Sequence, residues 1–584
     1  MVSPFDQAVA VDAPPDASRH RHSTRMSAPT WRSAPSGGWL TALAYAVVVV
    51  PFAYALVRLA TAPTARLTLA DDLSLIDLHV RRALAWRQQL GVFDHNNWNH
   101  PGPTYFYLVS LVYRVLGSNA RSLFVGATLL NALAAVGCVA VVRRRTTPAR
   151  ALWAAVWVGV LAAVLAAAGT SATTYSESVL GALVSPWNPT VVLFPLLLLI
   201  LLCAGTIDRS GASLVGSLLV GSYVVQTDIS TLPLAAVVIV VAGAVWLVTF
   251  YRDRAEPPST GPVARRRARV LVVVGLAALA LMWLPPIVQQ VTNDPGNLTL
   301  LYRFFTAGHP GQTLTASLWA VAAAFAVLVA GPGEVMGSIL GGTPMHAAWA
   351  VAVCVVTVAL GAAVVVAGAR RRSRFAVGMG ALTLVGCVAA VVAVLHVVGF
   401  VFGYLALWAV VLPVASLIGA GTVPVPAWVG QGRTGSGLRL AMCAVAVAVG
   451  VVTCVRVAAI PPLSRAGDPH VGQLVDLVTP RLPAGGLVAV GDAGAGTVRT
   501  ELLDTEEFIG LVDQLDRDGY RPEVSPFWKA EFGPGYESVG AEPRMVGLST
   551  WTTASPGLPG YVGRVGDMAV TVTGASGRPA PPTR

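Results

Sequence analysis

Charge is what this chain has least of. Asp, Glu, Lys and Arg together make up 12% of its 584 residues, while 55% are hydrophobic. Apolar runs of about 20 residues recur along it, the length of a helix that crosses a bilayer. One soluble core is excluded, and the chain reads as a polytopic α-helical membrane protein. Cysteine is scarce as well. Cys138, Cys203, Cys354, Cys387, Cys443 and Cys454 all fall inside apolar runs, where a thiol packs as a small hydrophobe, so neither a disulfide framework nor a metal-ligand spacing follows. A cleavable signal peptide is also missing: residues 1–37 are rich in Pro, Ser, Ala, Arg and His, and the first apolar run starts too late and runs too long. That opening reads as a disordered cytoplasmic tail.

The charge that is present is placed by topology. The net charge is +11, with arginines beside apolar runs at Arg143–Arg145, Arg265–Arg269 and Arg370–Arg374. Cytoplasmic loops carry such an excess, so a nucleic-acid partner is not needed to explain it. Trp39 to Thr61 is then a first span with its basic flank inside, which puts residues 67–117 outside. Further spans are expected at Ser122 to Val142, Ala151 to Ala168, Val191 to Gly205, Leu214 to Val225, Leu232 to Tyr251 and Val270 to Val288. After them, 314–330 and 346–368 cannot both cross without placing Arg370–Arg374 outside. Gly331-Pro332-Gly333 marks the first of them as bent or re-entrant. Phe375 to Val397, Phe400 to Thr422 and Leu438 to Ile460 complete about 11 or 12 crossings over residues 38–460.

From residue 461 the composition turns soluble and acidic, with ten Arg or Lys against fifteen Asp or Glu. Helical patterns at Val471 to Val478 and Thr505 to Asp518, with a strand at Gly486 to Val490, predict a small exoplasmic α/β domain over 461–584 with a disordered end. Gly491-Asp-Ala-Gly-Ala-Gly496 departs from the spacing of a dinucleotide loop and reads as a tight turn.

Polar chemistry is concentrated in the first outer loop. Leu73, Ile76, Val80 and Leu84 recur at helical spacing and fit an interfacial amphipathic helix. Thr104 to Leu116 is too short to span, and Pro103 and Gly117 bound it as a second interfacial helix. Asp71 and Asp72 open the first of these helices. Either one caps it, or the pair serves a transferase, one carboxylate taking a proton from an attacking hydroxyl and another holding an acceptor or a cation. Asp77 lies near the helix's packed edge, where a carboxylate needs a task or a partner. His95, Asn99 and His100 precede the rigid corner Pro101-Gly102-Pro103, and His100 stands at a helix start that favours phosphate. His95 reads equally well as an ordinary loop residue. Glu177 with Ser185-Pro-Trp187-Asn188-Pro189, Gln226 with Asp228, and Tyr302 with Arg303 and His309 would face the same cavity in a compact bundle. Trp187 also fits a headgroup anchor, and Arg303 a bidentate phosphate clamp.

The acid pair in Ala70-Asp-Asp-Leu73, the corner His100-Pro-Gly-Pro103, the interfacial helices and the multi-span bundle with an outer C-terminal domain together resemble the GT-C glycosyltransferases. These are lipid-linked-sugar enzymes such as protein O-mannosyltransferases and aminoarabinose transferases. The resemblance spans residues 39 to about 290. Relatives often carry a His-Pro-Pro or Lys-Pro-Pro corner, and an Asp-Glu pair where this chain has Asp-Asp. It implies a polyprenyl-phosphate-linked sugar donor, a glycan, lipid or protein acceptor, inversion at the anomeric carbon, and Asp72 as general base, or Asp71 if the register shifts by one. It fixes no cofactor, and a divalent cation at the acids stays open. Two rival readings remain: a transporter or flippase of an amphipathic solute, which would place paired charges at mid-span and repeat its halves, and a non-catalytic envelope assembly protein.

Overall fold

The computed structural model describes residues 37–63, 67–94, 96–167, 180–253, 262–331, 347–424, 432–492, 505–536 and 544–573. The expected N-terminal tail, His95, Glu177, Pro332-Gly333 and most of the 491–496 glycine run lie outside them. Among the described residues ten helices are long and apolar enough to cross a membrane, and the chain is a multi-pass membrane protein. They fall where the apolar runs placed them: Gly38–Ala60, Ala120–Arg145, Pro148–Leu165, Asn188–Ile207, Ile229–Arg252, Arg266–Thr292, Ala348–Arg370, Arg374–Leu395, Gly403–Thr422 and Gly435–Ala459. Gly211–Thr227 and Leu314–Ala330 are apolar but shorter, 17 residues each. Such a helix is about 25 Å long against a hydrocarbon core of about 30 Å. Of the two segments that could not both cross, 314–330 is thus the shorter. All six cysteines are free.

The first loop forms its two helices, Asp71–Leu84 and Thr104–Leu116. Between them the polar stretch folds into a small hairpin, β1 (Phe93–Asp94) against β2 (Trp98–Asn99), which periodicity did not announce. The helix Asp71–Leu84 is buried on two sides. Leu73, Ile76, Val80 and Ala83 pack into the core of the membrane bundle, while Leu75 and Leu78, on the opposite side, belong to the core of the C-terminal domain. Burying each such leucine is worth about 1.5–3 kcal/mol, so the helix is held from both sides.

The C-terminal domain carries five further strands, β3 (Leu487–Asp492), β4 (Arg521–Glu523), β5 (Arg544–Thr550), β6 (Tyr561–Val565) and β7 (Met568–Thr573). They form one sheet in the order β4-β3-β5-β7-β6, with β3 parallel to both its neighbours and the β5-β7-β6 side antiparallel. The helices Pro469–Val478 and Thr505–Arg517 accompany it, and the second of these lies along Asp71–Leu84.

Candidate active site

The aspartate pair is set by an unusual helix start. Ala70, extended at φ −136°, is the residue before the first turn, and it has no side-chain cap. Neither aspartate is therefore the cap; both lie inside the first turn, where the helix dipole favours negative charge. Asp71 adopts φ 49°, a left-handed conformation that Asp tolerates better than most residues but that still costs energy. Asp72 is fixed from the side, because the indole N–H of Trp187 donates to its Oδ2 at 2.7 Å.

Trp187 is 4% exposed and its ring lies 4.8 Å from that of Tyr404. It is a buried partner of Asp72 rather than a headgroup anchor. Its loop is pinned by Tyr105, whose hydroxyl donates to the Pro186 carbonyl at 2.6 Å. The next residue, Asn188, meets Nε2 of His100 at 3.2 Å, and the Ile229 N–H donates to Nδ1 of the same ring at 3.0 Å. His100 is buried, with Trp98 edge-on at 5.7 Å. It ties three loops together at the corner the sequence singled out.

That corner explains Gln226. Its Oε1 accepts from the Thr104 hydroxyl at 2.5 Å and its Nε2 donates to the Met282 carbonyl at 3.2 Å. A Cβ at Gly102 would fall 2.6 Å from Gln226 Cδ, so a side chain there would have to displace the Gln226 amide. Asp228 is buried and accepts from the Ser230 N–H at 3.0 Å, capping the short turn Ile229–Thr231. Asn99 and Asn297 exchange two hydrogen bonds, backbone N–H to Oδ1 and Nδ2–H to the carbonyl, each 2.8 Å. This brings the helix Asn297–Thr306 against β2. Arg303 and His309 are exposed. His309 packs 5.0 Å from Phe304 and shares with Gln312 and His396 a cavity of about 330 Å³. A second cavity, about 360 Å³, lies between the ends of the first and last spans beside Arg58, Leu59, Val184 and Ile460, and neither aspartate lines it.

Asp77 stands apart from this network. It is fully buried; its Oδ2 accepts from Arg81 Nε at 3.0 Å and from Arg517, and its Oδ1 accepts from the Tyr113 hydroxyl. Arg81 also pairs with Asp513 and Asp516. Burial pushes the Asp77 carboxyl up, but the Arg517 and Arg81 guanidiniums and the Tyr113 hydroxyl outweigh it and hold Asp77 below the usual carboxylate range. Burial and the Asp77 charge push neighbouring Asp513 up to about 7. The cluster joins the first loop to the C-terminal domain.

One acidic residue of the neighbourhood had no signal in the sequence. Glu531, on the short helix Lys529–Phe532 of the C-terminal domain, stands within electrostatic reach of both aspartates. Burial, then Asp72, then Asp71 push its carboxyl up to about 8. Its backbone carbonyl faces His79 Nε2 at 3.2 Å. His79 is buried, and burial drives its ring down to about 3, so it is a neutral donor. Distance along the chain hid this contact, 452 residues.

No protein-family model matches the chain, and no curated protein matches it in sequence. Among solved structures it is similar to ArnT from Cupriavidus metallidurans, both bound to undecaprenyl phosphate and in the apo state. In each comparison the TM-score is 0.51 and the identity 14%, over 93% of this chain and 99% of the other. The chain therefore shares the fold of that protein over nearly its whole length.

Proposed function

We propose that this protein is a membrane glycosyltransferase, moving a sugar from a polyprenyl-phosphate donor to an acceptor hydroxyl with inversion. The single observation that carries the reading is Asp72: a carboxylate in the first turn of a helix buried on both sides, aimed by the indole of Trp187 at 2.7 Å, in a chain with the fold of a protein crystallised with undecaprenyl phosphate.

In this reading the acceptor hydroxyl gives its proton to Asp72 as its oxygen attacks the anomeric carbon. The new C–O bond forms on one face of the sugar while the bond to the phosphate oxygen breaks on the other, and that electron pair leaves on the lipid phosphate. The leaving group is a stable anion, so it needs neutralisation more than a strong acid. Exposed Arg303 is the candidate to supply it. His100, with both ring nitrogens engaged, holds the Asn188 and Ile229 loops together beside the donor. Asp77 positions the acidic helix. The outer face of the membrane is the proposed location of the site and of the C-terminal domain, on the strength of the arginine-rich loops. Polar groups gather at one end of the bundle, which favours this reading over a transporter.

The test is transfer from undecaprenyl-phosphate-linked sugars by the full chain in lipid nanodiscs, read as release of undecaprenyl phosphate. Normal turnover by the Asp71→Asn, Asp72→Asn double variant would sink the mechanism.

A further inference from the structure

Away from the acid pair, the C-terminal domain brings one imidazole and two carboxylates together. Asp468, His470 and Glu507 each offer a ligand atom within 4.8 Å of the others. Asp468 stands just before the helix Pro469–Val478, His470 lies in its first turn, and Glu507 lies in the first turn of Thr505–Arg517. Asp468 is fixed by one oxygen: its Oδ1 accepts from the N–H groups of His470 at 2.6 Å and Val471 at 3.4 Å. Nδ1 of His470 meets Oε1 of Glu507 at 3.2 Å. The Gly566 turn between β6 and β7 backs the ring, since a Cβ there would fall 3.2 Å from its Cε1. A helix cap and a His–Glu pair account for part of this arrangement. They do not account for two carboxylates within 4.8 Å of each other, one of them with only 12% of its side chain exposed. Two carboxylates and one imidazole stay net negative in either protonation state of the ring, and like charges so close repel unless a cation lies between them.

We propose that Asp468, His470 and Glu507 form a site for a divalent transition-metal cation, zinc by its donor set, which clips the C-terminal domain around the segment leading into the acidic helix. An imidazole nitrogen with carboxylate oxygens suits zinc better than calcium or magnesium, which take oxygen ligands. Two ligands about 2.1 Å from a zinc ion at the tetrahedral angle lie about 3.4 Å apart, close to the Nδ1–Oε1 separation of 3.2 Å. Three protein ligands leave the fourth position to water. The clip acts on residues 67–70. The Asp468 N–H donates to the Thr68 carbonyl at 2.7 Å, and the Thr68 hydroxyl donates to the Asp468 carbonyl at 2.8 Å. On the other helix, a Cβ at Gly510 would fall 2.5 Å from the Leu69 carbonyl oxygen, so that helix lies directly on the same segment. A cation joining Asp468 to Glu507 closes both grips just ahead of Asp71 and Asp72. The site is independent of the glycosyltransferase reading, which gives none of these three residues a task.

The test uses the full chain in nanodiscs, stripped with a chelator and titrated calorimetrically with zinc chloride, with no substrate present. One equivalent should bind. Asp468→Asn, which keeps the helix cap, and Glu507→Gln, which keeps the side-chain shape, should each weaken binding at least about tenfold, and His470→Ala should abolish it. The Asp71→Asn, Asp72→Asn double variant should bind as wild type does. Zinc should also slow amide exchange at residues 68–70 and at Pro469–Val478 in wild type but not in His470→Ala. No heat of binding in wild type, or an equivalent that survives both His470→Ala and Glu507→Gln, overturns the proposal. An equivalent lost only in the double variant places the cation at the acid pair and overturns it as well. Binding at the three residues that leaves exchange at 68–70 unchanged defeats the clip.

Discussion

The indole of Trp187 and the carboxylate of Asp72 meet at 2.7 Å although 115 residues separate them. Trp187 sits at the mouth of a buried span and Asp72 at the start of the first-loop helix, so this bond fixes the carboxylate relative to the membrane bundle. A hydrogen bond to a charged group is worth about 1.5–3 kcal/mol. Trp187→Phe keeps the ring against Tyr404 but removes the donor, and transfer should fall about tenfold with folding retained, as checked by single-turnover release of lipid phosphate. Asp72→Asn keeps the shape and loses proton acceptance, and should fall about 100-fold or more.

Asp77 predicts a different failure. Its carboxylate answers two arginines and a phenol, and removing one member of a buried ionic cluster leaves the others uncompensated, at a cost of about 3–5 kcal/mol. Asp77→Ala should release the C-terminal domain from the bundle, seen as faster amide exchange at Thr505–Arg517. Exchange as slow as in wild type would show that the leucine contacts alone hold the domain.

Gly102→Ala should lower the thermal midpoint, though no side chain is lost. The added methyl meets Gln226 and forces it off Thr104 and Met282. A thermal midpoint equal to wild type would contradict this.

The stability of the junction should fall as pH rises. Glu531 and Asp513 have folded values pushed above their ordinary ones, to about 8 and about 7. The stability each adds is complete below the ordinary carboxylate range and is lost as pH climbs through the folded value. Asp77, held low, acts the other way and matters only in acid. Denaturation between pH 5 and 9 should therefore show declining stability, and Glu531→Gln should flatten the upper part of the curve.

Orientation is tested by labelling. A cysteine placed at Asn97 or Gly535 should react with an impermeant reagent from outside, and one at Thr260 should not; labelling at Thr260 from outside would reverse the membrane topology.

Much of this was legible in the chain because the signals were local. Pro103 and Gly117 bound a helix as expected, and the apolar runs marked the spans. Asp71, Asp72, Asn99, His100, Trp187, Asn188, Gln226 and Asp228 fall into one connected region because they cluster at the ends of successive spans. The contacts of Asp77 with Arg517 and of His79 with the Glu531 carbonyl were not legible, since these partners lie more than 400 residues apart. Leu75 and Leu78 were the overlooked clue. They form a second apolar stripe opposite Leu73, Ile76 and Val80, and a helix with two such stripes needs two cores.

That double burial also sets an order of events during synthesis. The acidic helix emerges from the ribosome early, whereas Arg517, the partner of Asp77 440 residues downstream, is made only after the spans are complete. Until then Leu75 and Leu78 have no core to enter and Asp77 has only Arg81 and Tyr113 to answer it, so the helix is seated on the bundle by one side alone. A ribosome that stops before Thr505 thus leaves a protein whose membrane part is whole yet whose acidic helix lacks one of its two cores.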